Sequence, residues 1–151
     1  MTTYLKCNNL IYHNQFGYRE GHSTNLASAT LVEKIIKQLD KGRDTVAVFM
    51  DLSKAFDTID HEILIRKLSI SFNFSTNSLS LIRDYLTNRK QFVEIDGRNS
   101  VTREVNLGVP QVSILGSLFF ILYINDISKA SDLFDSLLYA DDTTLTYSPD
   151  L

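Results

Sequence analysis

The stretch SLLYADDTTLTY, residues 136–147, decides how the chain is read. Leucine, tyrosine and threonine suit a β-strand, whereas aspartate is depleted in strands. Asp141 and Asp142 nevertheless stand side by side in the middle of the run. Like charges at this spacing repel, and burial raises the cost further. The pattern therefore predicts two short strands with the aspartates at the turn between them. A solvated turn accounts for the pair, because aspartate is common in turns. So does a site where a cation neutralises the two acids.

Working outward, TVAVFMDL (residues 45–52) is a β-rich run with few polar residues, and it ends near Asp51. It predicts a central strand. Before it, STNLASATLVEKIIKQLDKG (23–42) predicts a helix that Ser23 or Thr24 caps and Gly42 ends. Val32, Ile35, Ile36 and Leu39 recur at helical spacing along it. HEILIRKLSI (61–70) and SLSLIRDYLTN (78–88) predict two further helices. RKQFVEIDGRNSVTREVNL (89–107) reads as a hairpin turning at Asp96-Gly97. GVPQVS (108–113) is a loop, and a buried helix follows from Ile114 to about Asp126. Its apolar run, VSILGSLFFILYI, falls short of the ~20 residues that span a bilayer, so no membrane association is expected. Helices interleaved with hairpins predict an α+β sandwich, an antiparallel sheet covered on one face and close to the split βαβ pattern.

The 151 residues fit one domain with a real core, and 44% hydrophobic content argues against disorder. A net charge of −3 argues against a free-standing nucleic-acid binder, which ordinarily carries a basic footprint. Cys7 is the single cysteine and cannot form an internal disulfide, while His13, His22 and His61 lack zinc-ligand spacing. MTTYLKCNNLIYHN has no basic-then-apolar layout, so no signal peptide is expected. These features suit an intracellular chain, with nucleus and cytoplasm undistinguished.

If the strands ending at Asp51 and turning at Asp141-Asp142 are sheet neighbours, three carboxylates converge on one edge. Lys54 is the one basic residue beside either segment. A divalent cation is then the natural partner, and hard oxygen ligands select Mg²⁺ or Mn²⁺.

Three stretches in order, VFMDLSKAFDTIDHEIL (48–64), GVPQVSILGSLFFILYINDI (108–127) and LLYADDTTL (137–145), resemble motifs A, B and C of a reverse transcriptase palm. NQFGYREGHST (14–24) resembles the segment that precedes motif A, and YLTNRKQFVEIDG (85–97) strengthens the match. The style is that of non-LTR retrotransposons, especially jockey-like elements. The resemblance divides the chain into a lead-in, residues 1–14, and a partial reverse transcriptase domain of the fingers and palm region, residues 15–151. It implies a palm-like antiparallel sheet with helices on one face, incomplete fingers and no thumb. The implied activity is RNA-directed DNA synthesis, with an RNA template, a DNA primer and deoxynucleoside triphosphates as partners. Fingers, thumb and endonuclease regions are expected in a full-length relative.

By the same resemblance, Asp51, Asp141 and Asp142 are the catalytic acids. Together with the carbonyl of Leu52 they hold two Mg²⁺ or Mn²⁺ ions. Phe56, five residues after Asp51, stands where the family places its sugar gate; Ala55 and Gln111 lie against the nucleotide. Arg19 is a candidate nucleic-acid contact. Asp60 is expected to cap the following helix. Two positions depart from the family wording, Val112 for glycine after the motif B glutamine and Ser117 for a helix-start proline. A β-branched residue is bulky where glycine lets a ligand approach, so Val112 is expected to weaken nucleotide binding. The rivals to a polymerase are a non-catalytic retroelement remnant and a nucleic-acid- or protein-binding module.

Overall fold

Four side chains start the main helices. Ser23 accepts a hydrogen bond from Leu26 N–H, Asp60 from Ile63 N–H, Ser75 from Ser78 N–H and Ser113 from Gly116 N–H. Each satisfies a backbone donor that a helix N-terminus leaves orphaned. In the computed structural model, which describes residues 1–111 and 113–149, these caps open α2 (Thr24–Leu39), α3 (His61–Ile70), α4 (Thr76–Leu86) and α5 (Ile114–Tyr123). A short α1 (Thr2–Cys7) precedes them. Val112 lies outside the described residues, and so does the expectation attached to it. Ser117 is not at the helix start. It is the fourth residue of α5, and its N–H donates to Ser113 O (3.2 Å), a bond that proline lacks.

The strands are β1 (Val46–Asp51), β2 (Arg89–Gln91), β3 (Glu94–Ile95), β4 (Arg98–Asn99), β5 (Arg103–Val105), β6 (Asp135–Tyr139) and β7 (Asp142–Tyr147). The hairpin at Asp96-Gly97 forms, with both residues at positive φ, but it breaks into two short ladders, β2–β5 and β3–β4. The main sheet is antiparallel in the order β1–β7–β6. The structure thus corrects one expectation: β1 is an edge strand, and β7 occupies the centre. An apolar run signals burial or an unpartnered surface equally well, and Phe49 of β1 is 72% exposed.

Two clusters hold the molecule together. The larger is helical and buries Leu64, Leu68, Phe72, Leu86, Phe119 and Phe120 among others. Lys67 of α3 caps the end of α5, donating to Tyr123 O (2.6 Å) and Asp126 Oδ1 (2.5 Å), where orphan carbonyls gather. The smaller cluster joins α2 to β6 through Ala27, Leu137 and Phe16. Leu137 and Leu138 are both buried although successive strand residues point to opposite faces. Cover at β6 is therefore not confined to one face, as the sandwich reading expected. The architecture is α+β, with mixed helices and antiparallel strands.

A second junction joins residues 56–61 to the loop at 107–111. Gly108 N–H donates to Ile59 O (2.8 Å), Val109 N–H to Phe56 O (2.9 Å) and His61 Nε2–H to Gly108 O (2.8 Å). Asp60, capping α3 as expected, also bridges to Leu107. Gly108 has φ +82°, and a Cβ there would lie 2.8 Å from Asp57 Cα and 2.9 Å from Phe56 O. Only glycine permits this backbone-on-backbone contact.

Gly108→Ala is expected to destabilise the chain by about 3 kcal/mol, combining left-handed backbone strain with overpacking, as read by urea unfolding. A pH effect is expected between α3 and α4. Glu62 is held below the ordinary glutamate range, first by its hydrogen bonds from Arg83. That contribution is present above the unfolded-state pKa and is lost as pH falls through the folded one. Arg83→Ala should therefore lose less stability than the parent on acidification below the ordinary glutamate range.

Candidate active site

The register of β7 places the acids. Asp51, the last residue of β1, pairs with Asp142, the first of β7, and Asp142 pairs in turn with Tyr139 of β6. Ala140 and Asp141 form the turn between β6 and β7, so all three acids reach one end of the sheet. Like charges directly opposite on neighbouring strands are destabilising. Asp51 and Asp142 are exposed, and Asp141 is half-buried. Among the described residues none of the three joins an ion pair. A groove of about 460 Å³ between α2 and the sheet opens beside Asp51 and Asp142, lined also by Thr24, Leu31 and Phe49.

The donor set is oxygen-only and lacks a protein cation, which fits a hard divalent ion. The set is open: among the described residues no three acidic, histidine or cysteine side chains close into a ready metal cage. Leu52, next to Asp51, is half-buried against the helical core.

The remaining sequence-derived residues divide into those near motif A and those elsewhere. Ala55 is buried in the helical core. The ring of Phe56 stacks on Phe120 (4.7 Å between centroids) and meets Tyr18 edge-on (6.2 Å). Gln111 is exposed, and its Nε2 donates to Asp57 Oδ1 (3.1 Å), which ties the motif B loop to the motif A turn. Arg19 is turned inward. Its Nη1 donates to the carbonyls of Tyr12 (3.1 Å) and Gln15 (3.0 Å), and burial lowers its pKa. Those bonds bind its guanidinium to the loop.

Sequence reasoning passed over Gln15 and Gly17. Gln15 is 1% exposed, and its Oε1 accepts N–H bonds from Gly17 (2.8 Å) and Ala140 (3.2 Å). A fully buried glutamine is unusual, but nothing in NQFGYRE marks which polar residue turns inward.

Comparison with known proteins agrees with the motif order. The family model described as reverse transcriptase (RNA-dependent DNA polymerase) matches residues 1–149. The probable RNA-directed DNA polymerase from transposon BS of Drosophila melanogaster is 34% identical over 142 residues, covering 89% of this chain and 16% of that protein. That of the transposon X-element from the same fly is 33% identical, covering 89% of this chain and 15% of the relative. The RNA-directed DNA polymerase from the fly's mobile element jockey is 28% identical, covering 87% and 15% respectively. The chain thus spans about one-sixth of the length of these relatives. The chain belongs to the reverse transcriptase family, as a reverse transcriptase domain of the jockey-like, non-LTR retrotransposon type.

Proposed function

We propose that this chain supplies the palm-like catalytic face for RNA-directed DNA synthesis. The reaction joins a deoxynucleoside triphosphate to the 3′ hydroxyl of a DNA primer on an RNA template. The observation that carries the reading is the register pairing of Asp51 with Asp142, with Asp141 in the adjoining turn. Asp51, Asp141, Asp142 and the Leu52 carbonyl would hold two Mg²⁺ or Mn²⁺ ions. When bound, such ions neutralise the triphosphate and align attacking and leaving oxygens.

The chain's own residues do the positioning. Phe56 is fixed between Phe120 and Tyr18, so its ring forms a rigid wall where a 2′ hydroxyl would intrude. Gln111, tethered to Asp57, would offer the nucleotide a polar contact from the loop after β5. Ala55, beside Phe56 in the chain, is buried in the helical core that backs it.

The test places this chain in register in the full-length transposon BS polymerase and measures Mg²⁺-dependent primer extension on RNA. Extension is expected, and Asp51→Asn or Asp141→Asn should lower it about a thousandfold. Phe56→Val should raise ribonucleotide use relative to deoxyribonucleotide by about tenfold. A folded chimera that binds primer and template yet extends neither as written nor as Val112→Gly would make this a non-catalytic remnant. Extension by Val112→Gly alone would assign the defect to that residue.

A further inference from the structure

Residues 12–19 run along the outer edge of β6 and then fold against the turn that carries Asp141. Leu138 N–H donates to Asn14 O (2.9 Å), and Phe16 N–H donates to Leu138 O (2.7 Å). Gln15 thereby pairs with Leu138 as a parallel bridge. The chain then passes so close to the turn that a Cβ on Gly17 would lie 2.0 Å from Ala140 N. No side chain fits there.

Gln15 spans this contact. Its one oxygen accepts the N–H of Gly17 on its own loop and the N–H of Ala140 on the turn. Its Nε2 is buried without a partner among the described residues. An unpaired buried donor is costly, so the fold bears one to keep the acceptor in place. Ala140 has φ +56°, a left-handed conformation uncommon outside glycine. It immediately precedes Asp141, so its φ and ψ set the direction in which Asp141 leaves the strand. The guanidinium of Arg19 on the carbonyls of Tyr12 and Gln15 keeps the whole loop closed.

We propose that Gln15 is a positioning residue for the acidic turn: its Oε1 holds Ala140 in the left-handed conformation and so aims Asp141, while Gly17 is the close-packed stop behind it. The inference rests on the reading of Asp51, Asp141 and Asp142 as residues that hold a divalent cation. It assigns the segment before motif A a role in the geometry of motif C.

The test uses the 151-residue chain itself, with Mn²⁺ as the probe. Mn²⁺ affinity is read by water-proton relaxation, and amide hydrogen exchange is read by NMR. Gln15→Leu removes the acceptor. Gln15→Asn withdraws it by one methylene and serves if the leucine variant does not fold. Gln15→Glu retains an acceptor oxygen in either protonation state. Loss of the acceptor should speed Ala140 exchange about tenfold while amides of α3 to α5 keep their protection. Mn²⁺ affinity should fall about tenfold, as is usual when the support of a ligand is removed. Gln15→Glu should keep Ala140 protected. In an Asp141→Asn background, removing the acceptor should change Mn²⁺ affinity no further, because the latch acts through Asp141.

A released Ala140 amide with unchanged Mn²⁺ affinity would overturn the inference, as would an Ala140 amide that stays protected without the acceptor. A parent chain whose Mn²⁺ binding is absent or indifferent to Asp141→Asn would instead overturn the proposed function itself.

Discussion

Everything at the acidic end of the molecule depends on β7 inserting between β1 and β6. Asp51 and Asp142 are about 90 positions apart in the chain, yet one antiparallel ladder from Val46–Tyr147 to Asp51–Asp142 makes them neighbours. A slip of one residue would send every side chain of β7 to the opposite face. Leu145 would then trade places with Thr144, and the acids would no longer oppose each other. The ladder is thus an addressing device: the aspartates are set by backbone pairing along the whole length of β1. The repulsion it forces on them is offset elsewhere, by the buried contacts of Leu137 and Leu138 on both sides of the sheet.

The turn after β1 is held differently. Residues 56–61 and 107–111 meet through carbonyls and amides, and Gly108 carries no Cβ to hold them apart. Phe56 then stands on Phe120, deep in the helical cluster. Motif A therefore links two bodies: its strand belongs to the sheet, and its following turn belongs to the helices. Asp51 and Phe56, five residues apart, thus stand on two differently held parts of the fold.

Much of this was legible in the sequence because the signals were local. Ser23 and Asp60 announce helix starts, Asp96-Gly97 announces a turn, and the run from Ile114 announces a buried helix. The cost of aspartate inside a strand places Asp141 at the turn as expected, but Asp142 stands inside β7 as its first residue. What escaped was non-local. TVAVFMDL reads as a central strand, and only the pairing partner of β7 reveals it as an edge. The sequence offers Arg19 as a candidate nucleic-acid contact, and the loop carbonyls that its Nη1 reaches appear only in the fold. Gln15 looks like any polar loop residue until the turn it supports is in view. Polar residues declare their chemistry in a sequence but not their direction.

The same long-range ladder has a consequence for the order of folding. The α3–α4 pair and the β6–β7 hairpin join residues close in sequence, whereas α3–α5 and, over a still longer separation, β1–β7 must close a long loop before any contact repays it. The α3–α4 pair and the hairpin can therefore form while Asp51 is still far from Asp142. The Asp51–Asp142 pairing waits on that closure, so the two charges meet only where the β1–β7 ladder has formed. The long-range pairing that assembles the acids is thus distinct from the local contacts of the α3–α4 pair and the β6–β7 hairpin.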